Sequence, residues 1–318
     1  MHGGRSSVAP PRDLRAPTSF CGTACTLVVE PDDGIGMVFR MIADARHSLA
    51  LAEYELDDPA VIAALGSAAA RGVTVRVMLD PSPSYNRNAF DALRAAGVPV
   101  RWAPAAFAYT HEKAMVADGA RLFVMTFNLV PRYYPTGRDF GIIDEDAADA
   151  AAMEAVFDAD WGGGPPSSAA ARGHDLVWSP GARVTMLGLI DTATRTLDIY
   201  NEELADIVVR AALVRAARRG VAVRVVMTYA PEWHDAFAAL ADAGAHVRVF
   251  PDAPRGRYIH AKMIVADGVR AFVGSENFSA TSLDRNRELG VRVDDPAVIL
   301  RLMRTFAADA AAAEPFRS

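Results

Sequence analysis

Apolar and polar residues alternate from Val73 to Leu79, with Val73, Val75, Val77 and Leu79 on one side, and this period of two predicts a half-buried β-strand. Upstream the pattern changes. Asp58-Pro59 supplies a helix N-cap and a first-turn proline, an alanine-rich stretch follows, and Gly72 ends it, so a helix should feed directly into the strand. Strands interleaved with helices in this way predict an α/β protein whose mainly parallel sheet is flanked by helices.

The rhythm repeats at the level of residues. RGVTVRVML (71–79) returns as RGVAVRVVM (219–227), FDALRAAGVPVRWAP (90–104) as FAALADAGAHVRVFP (237–251), and HEKAMVADGARLFV (111–124) as HAKMIVADGVRAFV (260–273). The order is the same in both copies at offsets of 147 to 149 residues, which identifies a tandem duplication. Between the copies, WGGGPPSSAAARGHD has the composition of a linker. The expected organisation is a flexible segment over 1–25, a first repeat over 26–160, a linker over 161–175 and a second repeat over 176–312. Two such halves are expected to pack about a pseudo-two-fold axis, with a shared site in the cleft between them.

In each copy a histidine and a lysine stand two residues apart, His111 with Lys113 and His260 with Lys262. On a strand that spacing projects both side chains from one face. Asp118 and Asp267 lie an odd number of residues beyond the lysines and leave that face. Each is followed by glycine, and Asp-Gly is a hairpin-turn signal. The returning strands bring Thr126 and Asn128, or Ser275 and Asn277, again two apart. Imidazole, ammonium, hydroxyl and carboxamide would then converge into a lining suited to a phosphate group.

Charge usage sharpens this reading. Of the 33 lysines and arginines in the chain only two are lysine, and both occupy the third position of His-x-Lys. A chain that otherwise uses arginine keeps lysine where a compact point charge cannot be replaced by a planar fork. The formal net charge of -6 gives no global field for a polyanion. Cys21 and Cys25, the only cysteines, are too few for a disulfide framework or a four-ligand zinc site and read as plain thiols. The first twenty-five residues lack the apolar run of a signal peptide, and no later run approaches a membrane span, so a cytoplasmic location is expected, with a peripheral association at the membrane surface allowed.

HAKMIVADGVRAFVGSEN (260–277) resembles the HxKxxxxD and GSxN signature of the phospholipase D superfamily. HEKAMVADGARLFVMTFN (111–128) is similar, with Met125 and Thr126 in place of Gly-Ser. The resemblance implies a two-step exchange in which one histidine attacks phosphorus and the other protonates the departing alcohol, with no metal or other cofactor. It implies that Lys113, Lys262, Thr126, Asn128, Ser275 and Asn277 hold the phosphoryl oxygens. It also implies that a carboxylate orients each imidazole. The repeat-matched acids Asp139 and Glu288, each 28 residues after its histidine, fit that role, Asp139 being expected on His111 and Glu288 on His260. By the same resemblance His111 is the nucleophile and His260 the general acid, whereas the residues alone leave the two symmetric.

The family includes lipid hydrolases, head-group-exchanging synthases and nucleases. Tyr133 and Tyr134, with Phe107, Tyr109, Tyr258 and Ile259 just ahead of the histidines, suit an amphipathic ligand or an interface. A phospholipid substrate is therefore expected. Arg132, Arg138, Arg255, Arg257, Arg285 and Arg287 keep a nucleic-acid groove as the alternative. A non-catalytic chain that only binds phosphate esters is a third class, but neither motif is degraded.

Overall fold

The computed structural model describes residues 25–164 and 173–317. Nearly all of the N-terminal segment 1–25 and the middle of the 161–175 linker therefore lie outside the described residues. In the first half the strands are β1 (Cys25–Glu30), β2 (Ser48–Glu53), β3 (Thr74–Leu79), β4 (Val100–Trp102), β5 (Lys113–Ala117), β6 (Arg121–Met125) and β7 (Gly137–Asp144). The helices there are α1 (Gly36–Asp44), α2 (Pro59–Ala70), α3 (Asn86–Ala95) and α4 (Ala147–Gly162). The second half holds the strands β8 (Leu176–Ser179), β9 (Thr196–Tyr200), β10 (Ala222–Thr228), β11 (His246–Phe250), β12 (Tyr258–Ile259), β13 (Lys262–Ala266), β14 (Arg270–Gly274), β15 (Glu288–Val293) and β16 (Glu314–Pro315). Its helices are α5 (Arg183–Thr192), α6 (Ile207–Arg218), α7 (His234–Asp242), α8 (Ala280–Asp284) and α9 (Pro296–Ala312).

Asp58 caps α2 by accepting the amides of Ala60 and Val61, with Pro59 in the first turn. Asp206 does the same for α6 with Val208 and Val209. Both helices run on to a glycine at positive φ, Gly72 at 94° and Gly220 at 90°, a conformation that costs a side-chain-bearing residue far more. The next strand then starts within two residues, so each expected helix-to-strand unit is present.

One sheet has the order β1-β7-β6-β5-β2-β3-β4, and the other β16-β11-β10-β9-β13-β14-β15-β8. The strands β2, β3 and β4 are parallel, as are β9, β10 and β11, because helical crossovers join them. The strands from β5 to β7 and from β13 to β15 are antiparallel, with tight hairpin turns joining β5 to β6 and β13 to β14 and longer connections, one holding α8, joining the last pairs.

A single apolar core joins the halves: Val124, Phe140 and Phe157 pack with Tyr200, Met263 and Phe306. Two ion pairs cross between the halves beside it. Arg138 on β7 donates two hydrogen bonds to Asp309 on α9, at 2.6 and 3.0 Å. Arg287, just before β15, does the same to Asp160 on α4, at 2.8 and 3.0 Å. These fork-on-carboxylate contacts are buried and fix the angle between the halves, not merely their contact. The cysteine reading needs correction, since Cys25 is disulfide-bonded. Its sequence partner Cys21 lies outside the described residues.

Candidate active site

The hairpin turns set the motif in place. Asp118 and Gly119 have φ of 55° and 60°, Asp267 and Gly268 of 56° and 69°, so the first two residues of each three-residue hairpin loop are left-handed, a conformation that Asp and Gly tolerate best. Facing away from the lysines, Asp118 accepts the backbone amides of Arg46, His47 and Ser48. Asp267 accepts those of Thr194, Arg195 and Thr196. Burial alone would raise both acids, but the amide donors hold each below the usual carboxylate range, Asp267 at about 2. These two acids tie the hairpins to the starts of β2 and β9.

His111 and His260 stand just ahead of β5 and β13, in extended chain, and not inside the strands. Their amides bond across to the other half: His111 donates to the Arg287 carbonyl at 2.8 Å and His260 to the Arg138 carbonyl at 3.2 Å. Each imidazole therefore meets the acid that follows that arginine. His111 Nδ1 is 2.8 Å from Glu288 Oε2, and His260 Nδ1 is 2.8 Å from Asp139 Oδ1. The expected pairing, Asp139 with His111 and Glu288 with His260, is corrected. Within one half β6 lies between β5 and β7, which separates the histidine from its own acid by roughly two strand spacings, about 9.6 Å. Across the pseudo-dyad the two are neighbours.

With Nδ1–H donated to a carboxylate, each ring leaves Nε2 for a ligand. Both histidines line one cleft of about 520 Å³, together with Tyr54, Glu55, Asn128, Arg132, Tyr133, Asp139, Glu202 and Tyr258. Lys113 and Lys262 are fully buried next to it. Lys113 Nζ lies 3.2 Å from His111 Nδ1, donates to the His111 carbonyl at 2.6 Å and sits 5.1 Å from the Tyr54 ring centre. Burial pulls this ammonium down to about 8, although Glu288 opposes the shift. Burial likewise lowers the His111 imidazole below its ordinary 6.5, again against Glu288. Glu288 itself would be raised by burial, but His111 and Lys113 hold it below the usual carboxylate range.

Thr126 and Ser275 do not reach the cleft, which corrects their placement as phosphate ligands. Both are fully buried. The Thr126 hydroxyl donates to Asp139 Oδ1 at 2.5 Å and accepts the Phe140 amide at 2.9 Å. Ser275 Oγ accepts the Leu289 amide at 3.2 Å. They brace the strands that carry the two acids. Asn128 lines the cleft, whereas Asn277 Nδ2 donates to Glu203 Oε1 at 3.2 Å.

Of the tyrosines, Tyr133 and Tyr258 line the mouth and are about 40% exposed, at 41% and 38%. Tyr109 stands one ring further out, edge-on to Tyr54 at 6.2 Å. Tyr134 is corrected: its hydroxyl turns away to donate to Asp58 at the start of α2, at 2.9 Å. The residues that the motifs did not disclose are Tyr54, whose ring lies 4.4 Å from that of His111, and Glu55 and Glu202. All three follow the carboxyl ends of the parallel strands β2 and β9, where open α/β sheets bind ligands. That rule was the available signal.

A family model described as "Cardiolipin synthase, PLD-like domain" matches residues 38–161 and again 186–310. Among solved structures, phosphatidylserine synthase of Haemophilus influenzae is similar at a TM-score of 0.72 with 11% identity, over 94% of this chain and 89% of that one. Polyphosphate kinase of Porphyromonas gingivalis is similar at a TM-score of 0.69 with 16% identity, over 95% of this chain. The present chain spans 50% of that kinase. At these identities the likeness concerns the fold. No curated protein sequence matches the chain.

Proposed function

The chain belongs to the family of cardiolipin synthase-type, phospholipase D-like domains, and on that premise we propose that it hydrolyses or exchanges phospholipid head groups through a phosphohistidine. The observation that carries this is the pair of imidazoles in one cleft, each with Nδ1 on a carboxylate of the opposite half. His111 Nε2 attacks phosphorus and the P–O bond to the head group breaks. His260 gives its Nε2 proton to the departing oxygen. Water or a second alcohol then loses a proton to His260 and attacks the phosphohistidine, which frees His111. Lys113, Lys262 and Asn128 stabilise the non-bridging oxygens as charge develops on them. His111 is assigned as the nucleophile on the family resemblance, and burial favours the neutral ring that role needs.

The lining favours a lipid over nucleic acid. Arg138 and Arg287, two of the arginines that could have built a polyanion groove, are 3% and 5% exposed and spent on Asp309 and Asp160. The cleft presents Arg132 but also Glu55 and Glu202, beside Tyr133 and Tyr258. A strand of successive phosphates would meet these carboxylates unfavourably. Among the described residues no helix is long and apolar enough to cross a bilayer.

Incubation with mixed phospholipids and ethanol in the presence of chelator should yield phosphatidylethanol at an undiminished rate, since lysines supply the charge a metal would provide elsewhere. Shortened single-stranded DNA with no lipid product would establish the nuclease instead.

The pH dependence follows from the two shifted groups. His111 must be neutral, so kcat/KM falls on the acid side, with an apparent midpoint below 6.5. With a nitrophenyl diester, whose leaving group needs no proton from His260, Lys113 must still be charged and loses its proton near 8, so kcat/KM for that donor falls again as pH rises through about 8. A profile still flat at about pH 9.5 would remove Lys113 from the phosphate site.

A further inference from the structure

The two halves differ at one repeat-matched position at the floor of the cleft. In EYELDDP (53–59) and NEELADI (201–207), Leu56 matches Leu204 and Asp58 matches Asp206, which pairs Tyr54 with Glu202. Tyr54 covers Lys113 and packs on His111. Glu202 presents a charge. Its Oε2 lies 3.0 Å from Lys262 Nζ and 3.5 Å from His260 Nε2, and its Oε1 accepts the Tyr258 hydroxyl at 2.8 Å. Its side chain is 25% exposed and lines the cleft.

We propose that Glu202 determines specificity for the alcohol, by accepting hydrogen bonds from an acceptor or head group that carries hydroxyl or ammonium donors and by repelling one that carries a negative charge. This rests on the phosphohistidine reading, in which His260 Nε2 exchanges a proton with the oxygen of that alcohol. Any alcohol so placed has its own substituents within reach of a carboxylate 3.5 Å from the same nitrogen. Burial alone would raise Glu202, but Lys262, His260 and the Tyr258 hydroxyl hold it below the usual range, so it stays ionised at working pH. At the matched position of the first half a phenol ring stands, and the carboxylate that lines the cleft on that side, Glu55, is one residue further along the chain. The alcohol side of the cleft is therefore the His260 side, and it is selective by charge.

The test uses the full chain and methyl 4-nitrophenyl phosphate as donor, with ethanolamine, ethylene glycol and glycolate as acceptors of similar size. Nitrophenol release reports formation of the phosphoenzyme. The partition of methylphosphoryl product among water and the three alcohols reports acceptor choice. Wild type should prefer ethanolamine, then ethylene glycol, then glycolate. Glu202→Gln should lower the ethanolamine-to-glycolate ratio by about tenfold or more, and Glu202→Asp should keep the wild-type order. A ratio within one variant cancels any common loss of turnover, which a purely structural role for Glu202 would produce. Unchanged ratios in Glu202→Gln overturn the proposal, as does a uniform gain for all three alcohols, which would make Glu202 a plug on Lys262. Absence of nitrophenol release from wild type would instead overturn the phosphohistidine reading beneath it.

Discussion

His111→Ala should lose at least about 10⁴-fold in turnover of every phosphodiester, because it removes the atom that bonds to phosphorus. His260→Ala should lose on the order of 10²–10⁴-fold with a lipid, whose alkoxide needs a proton. With a nitrophenyl diester the leaving group needs none. The first step then survives in His260→Ala, and an acid-labile phosphoenzyme accumulates on His111, since no base activates the water that would release it. Rapid quenching and mapping of the phosphate check this. Phosphate on His260 would exchange the roles of the two histidines. Half of the wild-type activity in either variant would mean two independent sites, which the single cleft holding both rings does not allow. Lys113→Arg should fail nearly as badly as Lys113→Ala, because the buried pocket that holds a single Nζ has no room for a planar fork.

Glu288→Gln should slow phosphoenzyme formation from the nitrophenyl diester by up to about 10⁴-fold, whereas Asp139→Asn should leave that step largely intact. The reason is the crossed geometry: Glu288 fixes the His111 tautomer and balances its developing charge, while Asp139 serves His260. Asp139→Asn should instead slow the steps that need proton transfer, lipid cleavage and release of the phosphoenzyme. Burst and steady-state phases of nitrophenol release separate the two. A lost burst in Asp139→Asn with an intact burst in Glu288→Gln, while the phosphate still maps to His111, would restore pairing within each half and contradict the distances. Both variants preserve shape, so circular dichroism should report an unchanged fold.

Much of this architecture was legible because it rests on local chemistry. The Asp58-Pro59 cap, the glycine after α2 and the alternation into β3 each express a conformational preference of a few neighbouring residues. The turns at Asp118-Gly119 and Asp267-Gly268 needed only the left-handed tolerance of those dipeptides. The solitary lysines were legible for a different reason: a chain otherwise built on arginine displays the exception, and both exceptions are fully buried beside the cleft. Tyr54, Glu55 and Glu202 were not, because nothing in EYEL or NEEL distinguishes a cleft residue from a solvated one until the sheet order is known.

The sequence by itself determined that the chain is duplicated, that each copy is an α/β unit, and that His-x-Lys and an acid 28 residues after its histidine recur in register in both copies. Only the tertiary structure decided which acid serves which histidine. A repeat offset records equivalence between copies, not proximity within one, and β6 stands between each histidine and the acid of its own half. The tertiary structure also withdrew Thr126 and Ser275 from the cleft and turned Tyr134 to Asp58. A period of two says which side chains share a face, but strands that bend at their ends, and a second half that closes over them, decide which of those side chains a ligand can touch. Glu202 and Tyr54 carry the same lesson: equal positions in two copies became unequal groups facing one cleft, because the pseudo-dyad folds both onto it.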